Sequence, residues 1–376
     1  MNLRIAGMGW VTPLGRDLKT VWELLVQGAQ AKAETISDGP NGRAYRFFPV
    51  PSLTAKNLPP HPRLRRSSAI SRFAAAAGLD ALEDAKQTFG AINLERIALV
   101  FAVSNGGVIY TKRFYHDIVV NGAEAASPLL FPETVFNAPA SHLAAILGIN
   151  GASYTLVGDG SVGISALGMA TDLISLNRNL DYCLVVGAEE ADWLLCDAYH
   201  RWRLLKNEPP IELYSDPPRG MILSEGAGAI LVGREGNLKI EKIHPGAIFT
   251  RRSEMKECIS RVISDLNDGQ TQIVIGSANG TFIDLAENAA LAEAMPKAIV
   301  YTPKVALGEG VGASAIWQVI VAAQALRTHR LPPLPDASKE RARKPVVAAE
   351  MIPASDSMVL SCSLNQQVSG ARLSNR

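Results

Sequence analysis

The sequence predicts an α/β protein in which helices cover the faces of buried sheets, and three observations predict it. Short apolar runs, partly β-branched and bounded by Gly, Pro or Asn, recur along the chain, as strands buried on both faces do. Longer amphipathic segments alternate with them, the element order of layered α/β domains. The 376 residues are 47% hydrophobic and 19% charged, enough for one large core or for two halves sharing one.

The element order follows from these runs. Strands are predicted at Leu3–Ala6, Ile97–Ala102, Ser153–Val157, Tyr182–Val186, Gly228–Leu231, Gln272–Ile275, Ala298–Tyr301 and Met358–Cys362. Helices are predicted at Lys19–Gln27, Ser68–Thr88, Ala138–Leu147, Gly163–Asn177, Asp284–Ala294 and Ser314–Thr328. Ala69–Ala85 is rich in Ala, Leu and Ile at helical spacing, as a helix packed inside a layered domain is. The proline-rich stretch 36–65 predicts a surface excursion, and 330–348 a loop before the final strands. No linker separates two independent domains.

Composition excludes several classes. Lys plus Arg is 37 and Asp plus Glu 36, which offers no nucleic-acid face and no polybasic membrane anchor. Cys183, Cys196, Cys258 and Cys362 are scattered without a CxxC pair, so a disulfide framework or zinc site is not expected and a reducing cytoplasm fits. The opening residues do not read as a signal peptide. No run of about 18 apolar residues occurs, so no membrane insertion is expected.

One turn carries the chemistry. Val157-Gly-Asp-Gly-Ser-Val-Gly163 leaves a predicted strand and opens a predicted helix. Glycines allow tight backbone geometry, and the helix aims its first amides at the turn, a seat for a nucleophile or an anion. The plain alternative is a structural turn that packs a helix against a sheet. Gly158-x-Gly160-x-x-Gly163 also matches a dinucleotide fingerprint, but it lies mid-chain, and Glu189 and Glu190 fall about 30 positions on rather than about 20. Gly160-Ser161-Val162-Gly163 is one residue short of a serine-hydrolase elbow. None of the six His stands in a glycine turn or at metal-ligand spacing. Leu307-Gly-Glu-Gly-Val-Gly312, before another predicted helix, echoes the first turn, as a duplicated fold would.

Several ordered segments carry a resemblance. They are Ile5 to Gly15, Phe131-Pro132 with Asn137 to Ala140, Gly151 to Val157, Asp181 to Glu190, Arg219-Gly220 with Leu223 to Leu231, and Thr302-Pro-Lys304 through Gly312-Ala-Ser. Together they resemble the β-ketoacyl-acyl-carrier-protein synthases from end to end. The resemblance implies a thiolase-like layered αβαβα fold with two pseudo-symmetric halves, 1–235 and 236–376. It also implies a dimer. The family's nucleophilic Cys falls at Gly160; a register slip of one would offer Asp159 or Ser161. Its two His fall at Ser277 and Glu309. The C-terminal Gly-Phe-Gly-Gly loop is replaced by Ser363 to Gly370.

The chemistry these changes remove is definite. Glycine has no side chain with which to form a thioester, and an ionised Glu309, with Asp159 nearby, opposes the enolate of a decarboxylating substrate. By resemblance, Lys304 and Glu287 are expected to pair beneath the site, and Asn279 and Thr281 either to meet a pantetheine arm or to cap their loop. The expected function is therefore a non-catalytic subunit of the chain-length-factor type in fatty acid, polyketide or aryl polyene biosynthesis. Its expected partners are an active ketosynthase and an acyl carrier protein, whose phosphopantetheine arm is the one ligand implied; no cofactor or metal is. Polyketide factors carry Gln at the nucleophile position, where this chain has Gly160. The alternatives are an enzyme acting on acyl thioesters through a rebuilt Asp159, Ser161, Ser277 and Glu309 site, and a homodimeric binder of acyl groups or carriers.

Overall fold

The computed structural model describes residues 3–375 other than 38, 40, 41, 53–57, 59, 66, 335–351 and 353. The chain opens with β1 (Leu3–Val11) and α1 (Leu18–Val26), whose first turn Asp17 caps by accepting from the Thr20 amide. β2 (Glu34–Ile36), β3 (Tyr45–Phe48), α2 (Ala69–Phe89), β4 (Ile97–Val103), α3 (Val108–Asn121) and α4 (Ala138–Leu147) follow. Then come β5 (Ser153–Val157), α5 (Val162–Leu176), β6 (Tyr182–Glu189), α6 (Trp193–Arg201), β7 (Leu223–Ser224) and β8 (Gly226–Gly233). The rest runs β9 (Leu238–Ile248), α7 (Met255–Leu266), β10 (Ile273–Ile275), α8 (Ile283–Ala294), β11 (Ile299–Tyr301), α9 (Lys304–Leu307), α10 (Ser314–Thr328), β12 (Asp356–Cys362) and β13 (Gln367–Ser374).

Ten strands join in the order β11-β10-β12-β13-β9-β1-β8-β6-β4-β5. Outward from the β1–β9 seam the two halves repeat one pattern. In the first, β8 pairs antiparallel with β1 and β6, and β6, β4 and β5 run parallel. In the second, β13 pairs antiparallel with β9 and β12, and β12, β10 and β11 run parallel. These are the two pseudo-symmetric halves.

Burial places the layers. Val100 and Ile230 of the first half and Ile275 and Val359 of the second share one apolar cluster with α5 and α10, so those helices form the middle layer. Their strand neighbours Leu99 and Leu231 face α2 and α4 instead, as the alternation of a pleated strand requires. On the far side Val274, Met358 and Leu360 pack against α7 and α8. The result is αβαβα.

Glycines set the closest approaches. A Cβ at Gly9 would stand 2.3 Å from the Ala77 carbonyl, so α2 lies flat against β1. A Cβ at Gly163 would stand 2.9 Å from that of Ala315, so the missing side chain lets α5 cross α10. The last glycine of the turn thus serves helix packing, as the structural reading requires.

Where elements differ from expectation, packing is the reason. β1 runs past Ala6 because Met8 and Trp10 are buried and the strand pairs with β8 through Val11. Within the excursion 36–65, β3 buries Tyr45 and Phe48 and forms a small sheet with β2 and β7. Most of the loop expected over 330–348 lies outside the described residues. Among the described residues, no helix is long and apolar enough to cross a membrane, and no His, Cys, Asp or Glu cluster is arranged to hold a metal.

Candidate functional site

The site lies where the N-terminal end of α5 meets the loops after β10 and α9 and the end of β12. β5 delivers Gly158, Asp159, Gly160 and Ser161 to the head of α5, where Ser161 is the N-cap. Ser161 makes no cap bond with its side chain. Its Oγ lies 2.8 Å from Ser363 Oγ and donates to Gln367 Oε1 at 3.2 Å. The Cys362 carbonyl stands 3.1 Å from where a Cβ on Gly160 would lie. Ser361 Oγ donates to the Gly160 carbonyl at 3.0 Å. The end of β12 therefore occupies the space beside Gly160.

The loop after β10 is built on two buried carboxylates. Asp284 accepts from the amides of Asn279 at 2.8 Å and Tyr214 at 2.9 Å. Glu287 accepts from the Ser277 amide at 2.5 Å and the Ala278 amide at 3.3 Å. Burial pushes these carboxyls up to about 6 and about 7 respectively, against the pull of those amides. Gly280, at φ 92°, turns the loop where a Cβ would meet the Gly220 carbonyl at 2.3 Å.

Lys304 does not pair with Glu287, contrary to expectation. Its Nζ lies 2.8 Å from Glu309 Oε2 and donates to Ser277 Oγ at 3.0 Å. The reason is supply. Glu287 is already engaged by two loop amides, whereas Glu309 is held next to the ammonium by several further donors. Asn279 Nδ2 donates to Glu309 at 2.7 Å, Ser314 Oγ at 2.7 Å and the Val311 amide at 3.1 Å. Burial alone would raise the Glu309 carboxyl, but Lys304 and the hydroxyl and amide donors hold it below its ordinary value.

The remaining polar groups are committed too. Asn279 Oδ1 accepts from the Thr281 hydroxyl at 2.7 Å and amide at 3.2 Å, so this pair caps the loop. Ser277 Oγ accepts from the Cys362 amide at 2.9 Å as well as from Lys304. Ser277, Lys304 and Glu309 are 0%, 1% and 2% exposed, so the group is sealed.

Asp159 is set apart. Half-buried, it accepts from the Gly160 amide at 2.6 Å and the Asn365 amide at 2.7 Å. Burial pushes its carboxyl up, and the charge of Glu309 adds to the shift. It lines a cleft of about 490 Å³ with Asn105, Trp202, Phe249, Arg252 and Asn365. Neither Ser277 nor Glu309 lines that cleft.

The sequence thus locates Gly160, Ser161, Ser277 and Glu309 around one centre, with Asp159 at its edge. The Ser363 to Gly370 segment, set by resemblance at the family's C-terminal loop, does reach the centre through Ser363, Asn365 and Gln367; the sequence misses Ser361 and Cys362, which close it from the end of β12. No local pattern marks them; only the pairing of β12 with β13 brings them there.

Layering, helix placement and the glycine turn that opens α5 together define a thiolase-like ketosynthase scaffold. The model of the family described as "Beta-ketoacyl synthase, N-terminal domain" matches residues 2–237, and the chain belongs to the β-ketoacyl synthase family. The 3-oxoacyl-(acyl-carrier-protein) synthase 2 of Vibrio cholerae is 23% identical over 235 residues, 61% of this chain and 56% of that protein. Nodulation protein E of a Rhizobium species is 23% identical over 230 residues, 60% of this chain and 56% of that protein. The matches therefore span little more than half of these relatives. The fold is shared with the ishigamide ketosynthase/chain length factor at TM-score 0.87 and 17% identity, over 99% of this chain and 98% of that one. It is shared also with a ketosynthase in complex with its chain length factor from Xenorhabdus doucetiae, at TM-score 0.79 and 17% identity, over 99% and 98% of the two chains.

Proposed function

We propose that this chain is the non-catalytic, chain-length-factor-type subunit of a heterodimeric ketosynthase acting in fatty acid, polyketide or aryl polyene biosynthesis. One observation carries the reading. By resemblance the family's nucleophile falls at Gly160, and the Cys362 carbonyl packs 3.1 Å from where a side chain there would begin. A residue without a side chain forms no thioester, and a Cβ there would press on the Cys362 carbonyl. By resemblance the family's two His fall at Ser277 and Glu309, both of which are tied to the buried Lys304.

The partner we propose is an active ketosynthase. Among the described residues β5 ends the large sheet and pairs only with β4, leaving its outer edge open. Tyr154 and Val157 on it are exposed, as are Phe131, Val135 and Phe136 in the segment leading into α4, which packs on β5. An open strand edge with exposed apolar side chains is suited to pairing with another chain. The solved neighbours named for a ketosynthase and its chain length factor support this partner. Acyl carrier protein is the proposed donor, with its phosphopantetheine arm entering the cleft beside Asp159.

The test is co-expression with a Cys-bearing ketosynthase from the same pathway, followed by native mass spectrometry and loading with an acyl-carrier-protein thioester. A one-to-one heterodimer with acyl label on the partner alone is expected. A persistent homodimer, or acyl label on this chain, would sink the reading. An active rebuilt site would instead turn over thioester in the isolated chain and lose that activity in Asp159→Ala or Glu309→Ala.

A further inference from the structure

Asn279 and Thr281 cap their own loop and are 0% and 2% exposed, and neither lines the cleft beside Asp159. That cleft carries polar groups of its own. β4 and β5 run parallel with Val103 beside Val157, and the Gly158 amide donates to the Val103 carbonyl at 3.0 Å. Asn105 and Asp159 therefore stand in neighbouring loops at the carboxyl ends of two adjacent strands, where parallel sheets commonly hold ligands. Both line the cleft.

The two residues have unused hydrogen-bonding capacity of opposite kinds. Asp159 accepts one amide on each oxygen, that of Gly160 on Oδ1 and that of Asn365 on Oδ2. A carboxylate has about four lone-pair sites, so each oxygen can accept once more. Asn105 Nδ2 is buried and makes no hydrogen bond in the free chain beyond a weak pull on the neighbouring Tyr199 hydroxyl. A buried donor so poorly served is costly, and a carbonyl arriving in the cleft would satisfy it. A donor beside an acceptor matches the two ends of a secondary amide.

The same cleft carries a cation. Arg252 lines it, is exposed, and lies over the Phe282 ring at 4.2 Å. Among the described residues no carboxylate pairs with it. The ring holds the guanidinium in place without neutralising it, which suits a phosphate. One wall joins this cation to Asp159: the Asn365 amide donates to Asp159, and the Phe249 amide donates to the carbonyl of Gln366 next along. Trp202, Leu204 and Leu364 add apolar surface to the cleft.

We propose that this cleft is a phosphopantetheine seat in which Arg252 holds the phosphate and Asn105 and Asp159 hold an amide of the arm. A chain with a phosphate at one end and secondary amides along it matches a cation followed by a donor and acceptor pair. This seat rests on the carrier reading above and deepens it: the contact that the resemblance offered to Asn279 and Thr281 passes to the loops after β4 and β5.

Ligand-observed NMR on the full chain tests the seat, with phosphopantetheine and unphosphorylated pantetheine as probes. Both should bind, the phosphorylated probe about tenfold more tightly, as one charge-assisted contact gives. In Arg252→Gln that preference should disappear, with pantetheine bound as in the unmodified chain. In Asn105→Leu both probes should weaken about tenfold and the preference should remain. The preference is a ratio within one protein, so it is read even where a variant is partly unfolded. Competition by a holo-acyl-carrier protein and not by its apo form would trace the arm to a carrier. Competition by coenzyme A alone would keep the seat and remove the carrier from the reading above. No binding of either probe at millimolar concentration, an undiminished preference in Arg252→Gln, or unaltered binding in Asn105→Leu would overturn the seat, while the heterodimer keeps its own test.

Discussion

Replacing Glu309 by Gln should destabilise the fold sharply, and the partner substitution should largely undo the damage. The carboxylate lies 2.8 Å from Lys304 Nζ with side chains 2% and 1% exposed. At an effective dielectric of about 20 the gross attraction at that distance is about 6 kcal/mol, much of it offset by the desolvation of two buried ions. Removing one partner leaves an uncompensated buried charge, which costs about 3–5 kcal/mol. In Glu309→Gln the ammonium keeps the Ser277 hydroxyl and the oxygen of the new amide but loses its ion-pair partner. A buried ammonium that loses its paired charge is driven toward its neutral form, so the deficit should shrink as pH rises. Glu309 also sits below its ordinary value in the folded chain. Its contribution is therefore present above the unfolded value of 4.5 and lost as pH falls through the depressed folded one, so the acid limb should flatten in the variant. The double variant Lys304→Met with Glu309→Leu removes both charges and should recover to within about 1–2 kcal/mol of the unmodified chain. Urea unfolding of the unmodified chain, Lys304→Met, Glu309→Leu and the double variant at pH 5, 7 and 9 gives the cycle, with Glu309→Gln measured beside them. A single-variant loss under about 1 kcal/mol, or a double variant no better than the sum of its singles, would refute the reasoning.

Other expectations follow from the same geometry. Gly160→Cys places a Cβ 3.1 Å from the Cys362 carbonyl; unfolding should show a loss of about 1–3 kcal/mol, and acyl-thioester loading of the variant should stay at background. Gly280→Ala puts a Cβ 2.3 Å from the Gly220 carbonyl at a φ of 92°, so it should lower the melting temperature more than Gly269→Ala, where nothing lies within 4 Å. Burial pushes Glu189 up to about 8, while the Ser104, Asn105 and Gly312 amides pull it back. Its contribution is full below the unfolded value of 4.5 and fades as pH rises through about 8, so Glu189→Gln should flatten the alkaline limb of a pH–stability curve.

Much of the fold was legible because strong periodicity reports burial. β5, α4 and α10 have the bounds the sequence predicts. α7 carries the same signal: Met255, Cys258, Ile259, Val262, Ile263 and Leu266 are its buried residues, at helical spacing. β9 was not. Its burial alternates irregularly because it joins the two halves, with β1 on one side and β13 on the other. At the site, Gly160, Ser277 and Glu309 could be placed by motif, since each sits in a turn fixed by neighbouring glycines. The partner of Lys304 could not. Which carboxylate reaches a buried ammonium depends on which one the backbone amides have already taken.

By itself the sequence determined the layered α/β class, the turn that opens α5 and the absence of a thiol at Gly160. These are local properties, set by hydrophobic period, glycine geometry and side-chain identity. Only the tertiary structure decided that the C-terminal hairpin would close on that turn and that Lys304 would face Glu309. It also decided that Asp159 would line a cleft while Ser277 lay sealed behind it. Those outcomes join residues up to 206 positions apart, as Asp159 and Asn365 are. Such separations are spanned by strand pairing and core packing, which no local pattern encodes.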